Sequence, residues 1–417
     1  MKKIYLVGLA AVGLLFTAQA QDCSEGRYRL PVFDNFNLTS DVQYGSNTGR
    51  DGNNVNLLVD IYEPEGDTES ERPLIIFAHG GTFIAGSKTG DDVVPMAQEF
   101  AKKGYVTASI NYRLGMDNLL TPTGPSEGDA SEAVFRATQD LKAAIRFFRK
   151  SIEEDGNPYK LDTDNFFVVG SSAGGFMAVH HAYLDEESEI PESIDFSKPG
   201  LTGGIEGDSG NPGFSTELKA IANLAGALGD VEWMNADDTP VISLHGDEDG
   251  TVPYATDMIS VAIFEIIEVS GSFSIHQKAD EIGLQNCFKP FFGQDHVPHV
   301  GNAAYLDTTI NYVTNFFLHF VCDQAEYCFY DQTLSVNEVE KPNFTMYPNP
   351  ASSSFKIVSD QPIEAYSIIG LNGQVVATKE QLLDQEVTVD SYDFPSGMYL
   401  VQIRTAQGIS TNKLIIE

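Results

Sequence analysis

The residues best able to do chemistry are Gly170-Ser171-Ser172-Ala173-Gly174-Gly175. The apolar run Phe166 to Val169 leads into them, and Phe176-Met177-Ala178-Val179 follows as the start of a helix. That is G-x-S-x-G between a strand and a helix. Small residues at 170 and 174 let neighbouring backbone come close, which leaves the Ser172 hydroxyl exposed at the sheet edge. A bare pentapeptide of this type is also an ordinary Gly/Ser loop, and the flanking patterns are what favour a nucleophile. A serine hydroxyl needs a base within hydrogen-bond reach and a carboxylate to orient that base. Downstream, Asp247, Glu248 and Asp249 follow the apolar run Val241 to Leu244, and His296 and His299 follow Phe288 to Phe292. His79-Gly80-Gly81-Thr82-Phe83 follows Leu74 to Ala78 and offers backbone N–H groups for a developing oxyanion.

Those groups sit at the ends of short apolar runs. Leu74 to Ala78, Val106 to Ile110, Phe166 to Val169, Ala220 to Leu224, Val241 to Leu244 and Phe288 to Phe292 are apolar throughout. Such continuity suits central strands of a parallel sheet covered on both faces. Helices are expected between them. Val94 to Lys103 stops at Gly104, a good residue after a helix end. Asp129 to Lys150 opens on Asp129 and Glu132, a variant capping box, with Leu141, Ala144, Ile145 and Phe148 on one face. Asn302 to Phe320 is the last long helix. The alternation is that of an α/β protein with a mostly parallel central sheet.

Residues 185–216 break the rhythm and read as a lid-like insertion over the sheet's C-terminal edge. Glu206 and Asp208 in it lack a recognisable ion-binding loop pattern, so no metal is expected. After Tyr330 the chain changes character. Residues 331–345 read as a polar linker. Residues 346–417 read as a small all-β sandwich, with alternating strands at Phe355-Lys356-Ile357 and Tyr399 to Ile403 and turns at Asn372-Gly373 and Ser396-Gly397.

The 417 residues carry 25 basic against 60 acidic side chains, a net charge of −35, which repels nucleic acid and anionic lipid. The first twenty residues have the form of a secretory signal peptide. Lys2 and Lys3 precede the apolar stretch Ile4 to Phe16, and Ala18-Gln19-Ala20 fits a cleavage site. Cys23 lacks a lipobox, and no later segment is apolar enough to span a membrane. Cys23, Cys287, Cys322 and Cys328 make an even number in an exported chain, which implies two disulfides with three connectivities open.

Several motifs carry a family resemblance. His245-Gly246-Asp247-Glu248-Asp249-Gly250-Thr251-Val252-Pro253 closely resembles the acid loop of α/β-hydrolases, with Asp249 at the matching position and Asp247 and Glu248 as competitors. His296 stands where that family places G-x-G-H, with Asp295 in place of the usual glycine and His299 as the competing base. His79-Gly80-Gly81 resembles the H-G-G-G motif of carboxylesterases and hormone-sensitive-lipase-like esterases, and Asn111-Tyr112-Arg113-Leu114 resembles their N-Y-R-L. The resemblance covers about residues 40 to 322. It implies an α/β-hydrolase domain over 21–330, a Ser172-Asp249-His296 triad, and oxyanion donors at Gly80, Gly81 and Ala173, with Thr82 replacing the third glycine. It implies a brace role for His79 and a structural one for His245, which shapes the acid loop. It further implies a serine carboxylic-ester hydrolase without cofactor, acting on a small-molecule or polymer ester.

The tail has a resemblance of its own. Tyr347-Pro348-Asn349-Pro350, Ile369 to Gly373, Ser396 to Tyr399 and Lys413 to Ile416 resemble the C-terminal sorting domain of the type IX secretion system of Bacteroidetes. That implies export through the periplasm to the cell surface or beyond, with the secretion machinery as partner. Two alternatives stand beside the esterase. A prolyl-oligopeptidase-type serine peptidase usually adds a propeller, for which the segment before residue 55 is too short. A non-catalytic hydrolase-like surface adhesin commonly loses a triad member. The ester itself, the oligomeric state and the choice between His296 and His299 stay open at this level.

Overall fold

The structure, a computed structural model, describes residues 23–261, 264–331, 344–370, 375–392, 394–405 and 408–416. The signal peptide, nearly all of the linker and the Asn372-Gly373 turn lie outside these. The chain divides into two compact units between residues 334 and 335.

In the first unit the elements run β1 (Phe36–Thr48), β2 (Asn54–Pro64), β3 (Arg72–Ala78), α1 (Val94–Lys102), β4 (Val106–Ile110), α2 (Glu127–Glu153), β5 (Leu161–Ser171) and α3 (Ala173–Tyr183). They continue with β6 (Ala220–Leu224), β7 (Ala227–Leu228), β8 (Val241–Gly246), β9 (Thr256–Val261), β10 (Phe264–Gly271), α4 (Ser272–Ile282), β11 (Asn286–Phe291) and α5 (Ala303–Cys322). Among the described residues, eight strands form one sheet in the order β1-β2-β4-β3-β5-β6-β8-β11. The β1–β2 and β2–β4 pairs are antiparallel, and from β4 to β11 every pair is parallel. This is the α/β-hydrolase architecture.

Alternate residues of each strand face opposite ways, so the sheet needs cover on both sides. Leu74, Ile76, Phe166 and Val168 pack with Leu141, Phe148 and Met177 of α2 and α3. Ile75, Phe77, Phe167 and Val169 pack with Phe100 of α1 and Phe316 and Phe317 of α5. The fully apolar strands read from sequence are therefore doubly buried ones. Helix α2 begins earlier than the Asp129–Glu132 spacing suggests. Its N-cap is Ser126, whose hydroxyl accepts from the Asp129 N–H while Asp129 accepts from the Ser126 N–H, so Asp129 is the far member of the capping box and not its start.

The expected lid behaves differently from its sequence reading. Most of it is a strap tied along α2. The guanidinium of Arg113 donates to the Gly200 carbonyl, Gln139 donates to those of Thr202 and Gly204, and Arg146 donates to those of Glu206 and Gly210. Arg113 itself is buried against Asp140, so removing either partner leaves a buried charge, a loss of about 3–5 kcal/mol. Glu206 pairs with Lys142 and Arg146, and Asp208 accepts from Asn47 and Thr202, which engages both carboxylates with protein groups. The sequence left the cysteine pairing open. The structure joins Cys23 to Cys322 and Cys287 to Cys328.

The second unit is all β: β12 (Phe344–Tyr347), β13 (Ser354–Gly370), β14 (Val375–Asp390), β15 (Gly397–Thr405) and β16 (Gly408–Ile416). All its strand pairs are antiparallel, and the two ends of β13 pair with different neighbours, β12 at one end and β15 at the other. Phe355, Ile357, Ile368, Val401, Ile403 and Leu414 form its separate core, consistent with a small sandwich.

Candidate active site

Parallel strands deliver their following loops to one edge of the sheet, and here those loops hold the candidate groups. Ser172 sits between β5 and α3 with φ 52° and ψ −113°, a conformation an L-residue adopts only under constraint. The constraint is tight packing. A Cβ on Gly170 would lie 2.0 Å from the Gly174 carbonyl oxygen, and one on Gly174 would lie 2.0 Å from that of Ala78. The Ser172 N–H donates to the Leu224 carbonyl at 2.7 Å, which ties the turn to β6.

The loop after β8 carries Asp249 and the loop after β11 carries His296. The Ser172 hydroxyl donates to His296 Nε2 at 2.8 Å, and His296 Nδ1 donates to Asp249 Oδ2 at 2.7 Å. A carboxylate can only accept, which fixes the proton on Nδ1 and leaves Nε2 as the acceptor. The Asp249 carboxylate is fully buried. Burial pushes its pKa up, but hydrogen bonds from His245 and His296, the His296 charge and the Val252 N–H outweigh it and hold it well below the usual range. His245 Nε2 lies 3.0 Å from the same Oδ2, and its Nδ1 is 2.8 Å from the Ser272 hydroxyl. The buried imidazole expected to shape the acid loop thus also contacts the acid.

The competitors are engaged elsewhere. His299 is buried with Nε2 3.3 Å from the Asp92 carbonyl, and burial pushes its pKa down to about 4. Asp247 accepts from the Gly293 N–H. Asp295, which replaces a family glycine, accepts from the N–H groups of Gly250 and His296. Asp247 and Asp295 therefore fasten the acid loop to the base loop.

The oxyanion loop needs one correction. Gly80 was expected to donate, but its N–H is already spent on the Asp92 carboxylate at 2.6 Å. Among the described residues, the N–H groups of Gly81, Thr82 and Ala173 have no hydrogen-bond acceptor. The glycines have separate reasons. A Cβ on Gly80 would sit 3.1 Å from Ser172 Cβ, and Gly81 has φ +114° with only 2.2 Å between an added Cβ and the Ala85 carbonyl. His79 Nδ1 donates to the Gly80 carbonyl at 2.6 Å, its ring stacks on Tyr112 at 4.3 Å, and the Tyr112 hydroxyl donates to the His79 carbonyl at 2.8 Å. Tyr112 thus braces this loop, while its neighbour Arg113 anchors the strap.

A cavity of about 640 Å³ opens beside Ser172. From the strap only Pro191 and Ile194 reach it, and the β9–β10 hairpin supplies a wall through Ile259, Ile266 and Val269. That hairpin was missed from sequence. The signal was there in the β-branched run Met258 to Val269. Asp92 was missed too, and no spacing rule would have found it. His276 lies on α4 with Nδ1 2.5 Å from the Asn286 amide oxygen. Asp117, Asp129 and Glu132 bring three carboxylates together, but the Lys198 ammonium lies among them, at 2.9 Å from Glu132 and 3.0 Å from Asp129.

Comparison with known proteins gives two family matches. Residues 59–203 match the BD-FAE family, and residues 345–417 match the secretion system C-terminal sorting domain family. Esterase-5C of Drosophila miranda is 31% identical over 132 residues, covering 31% of this chain and 22% of the relative. Carboxylesterase 3B of Mus musculus is 31% identical over 122 residues, covering 29% and 19%. The chain spans about a fifth of the length of these curated relatives. Among solved structures, an esterase from Thermogutta terrifontis superposes with a TM-score of 0.48 at 20% identity, covering 70% of this chain and 97% of that one. A truncated carbohydrate esterase from gut microbiota gives 0.46 at 19%, covering 68% and 96%. Among the described residues no helix is long and apolar enough to cross a membrane. Residues 59–203 are thus similar to the BD-FAE family, and the match of residues 345–417 to a secretion system C-terminal sorting domain implies export.

Proposed function

We propose that this is an exported serine carboxylic-ester hydrolase that works through an acyl-enzyme on Ser172. The contact that carries the proposal is His296, held between the Ser172 hydroxyl at 2.8 Å and the Asp249 carboxylate at 2.7 Å. His296 Nε2 takes the hydroxyl proton as Oγ attacks the ester carbonyl. It then gives that proton to the leaving alcohol. Asp249, with His245 at its back, keeps the His296 proton on Nδ1 and stabilises the imidazolium. The N–H groups of Gly81, Thr82 and Ala173 receive the oxyanion, and their lack of other acceptors supports that role. Water activated by the same imidazole frees the acid. The sorting domain supplies the address, with the type IX secretion machinery as its partner.

Ser172→Ala is expected to abolish hydrolysis of p-nitrophenyl butyrate and labelling by a fluorophosphonate, with the melting transition preserved. Retained turnover in that variant removes Ser172 as nucleophile.

A further inference from the structure

Behind Asp249 lies a buried row of polar side chains drawn from β6, β8 and the start of α4. His245 on β8 is fully buried, with Nε2 3.0 Å from Asp249 Oδ2 and 3.2 Å from the Val252 carbonyl oxygen. Both oxygens only accept. A lone pair on Nε2 would face two acceptors, so the ring proton belongs there. Nδ1 lies 2.8 Å from the hydroxyl of Ser272, the first residue of α4. Ser272 is fully buried too, and its oxygen accepts from the Asn223 amide at 3.2 Å. Among the described residues, His245 Nδ1 is the acceptor within reach of the Ser272 proton. Asn223, on β6, is fixed in turn. Its Oδ1 accepts from the Gly226 N–H at 2.9 Å, which turns the NH₂ toward the Ser243 and Ser272 hydroxyls. A Cβ on Gly175 would lie 2.6 Å from that Oδ1 and one on Gly226 2.5 Å, so both positions must be bare. Gly175 stands one residue beyond the G-x-S-x-G pentapeptide, which does not itself require it.

Two imidazoles thus meet one oxygen of Asp249, His296 Nδ1 at 2.7 Å and His245 Nε2 at 3.0 Å. Catalysis needs a second ring proton on only one of them, the His296 that receives it from Ser172. A hydroxyl donating into Nδ1 leaves His245 no acceptor for a further proton. It also stops the ring from turning its bare nitrogen toward the carboxylate. We propose that Ser272 is a positioning residue for the Ser172-His296-Asp249 system: set by Asn223, its hydroxyl holds His245 in the one tautomer and orientation whose N–H faces Asp249. Ser272 touches no substrate and acts through His245. This rests on the triad reading proposed above.

The first test is a double-mutant cycle on p-nitrophenyl butyrate, with a thermal melt on each variant. Ser272→Ala removes one buried hydrogen bond and is expected to lower kcat about fivefold, with KM within about twofold of wild type. In a His245→Leu background there is no tautomer to hold, so Ser272→Ala should cost nothing further. A residue that only packs the start of α4 would cost the same in both backgrounds. Wild-type kcat in a folded Ser272→Ala enzyme, a loss confined to KM, or equal losses in both backgrounds overturns the proposal. The second test uses the wild type alone, so no variant has to fold. Neutron diffraction from deuterated crystals should show deuterium on His245 Nε2 and the Ser272 O–D directed at Nδ1. Deuterium on Nδ1, or a Ser272 O–D aimed elsewhere, overturns it. Absence of turnover and of fluorophosphonate labelling in the wild type would instead refute the esterase itself, leaving the neutron map to judge the Ser272–His245 contact.

Discussion

Asp92 should control the rate without touching the substrate. Its carboxylate accepts the Gly80 N–H at 2.6 Å, a short charge-assisted bond, and its main-chain oxygen lies 3.3 Å from His299 Nε2. Gly80 is followed directly by Gly81 and Thr82, whose free N–H groups are the proposed oxyanion donors. Asp92→Ala removes the acceptor and leaves the Gly80 N–H unpaired, so the loop loses the anchor that sets the aim of its neighbours. A hydrogen bond to a charged group contributes about 1.5–3 kcal/mol. If most of that is felt when charge develops on the carbonyl oxygen, kcat falls by about 10- to 100-fold, at 1.4 kcal/mol per tenfold. KM should change little, because the ground-state carbonyl is only weakly polarised. Asp92→Asn keeps an oxygen facing Gly80 and should recover to within about fivefold of wild type, since a neutral acceptor forms roughly half as strong a bond. The assay is kcat and KM on p-nitrophenyl butyrate, with a thermal melt on each variant. A folded Asp92→Ala enzyme with kcat within twofold of wild type, or with the whole loss in KM, would refute the reasoning.

Asp249→Asn should lower kcat by about 10³- to 10⁴-fold. The Asp249 oxygens accept from His296, Thr251 and Val252, with His245 Nε2 3.0 Å away, so an amide must turn its NH₂ toward some of these donors, and the proton on His296 is then free to move to Nε2. Steady-state kinetics on the same ester checks this, and near wild-type turnover would contradict it. Acid stability offers a separate test. Burial, aided by the charge of Lys142, pushes the pKa of His181 down to about 3, against about 6.5 in an unfolded chain. Between those values the unfolded state binds the extra proton, so this group's contribution is full above pH 6.5 and falls on acidification by up to about 1.4 kcal/mol per pH unit. His181→Gln keeps a donor for the Thr216 carbonyl, now 2.9 Å from Nε2, and does not titrate. Its melting temperature should therefore decline less than that of the wild type from pH 7 to 4.5, and parallel slopes would rule the effect out.

Much of this molecule was legible before any coordinates. Doubly buried strands must be apolar along their whole length, which is why Leu74 to Ala78 and Phe166 to Val169 announced a covered parallel sheet. A turn that admits no Cβ at its neighbours must be glycine on both sides, which is why positions 170 and 174 pointed to Ser172. What the linear chain left open was decided by distance in space. His296 and His299 differ by three residues and look alike in sequence, yet only the fold sets one between a hydroxyl and a carboxylate and buries the other against a main-chain oxygen. Gly80 looked like an oxyanion donor until Asp92, twelve residues on, was found holding its N–H. The wall formed by the β9–β10 hairpin and the contact of Ser272 with His245 carry no motif, because cavity shape and hydrogen-bond satisfaction arise from segments that meet only when the chain is folded.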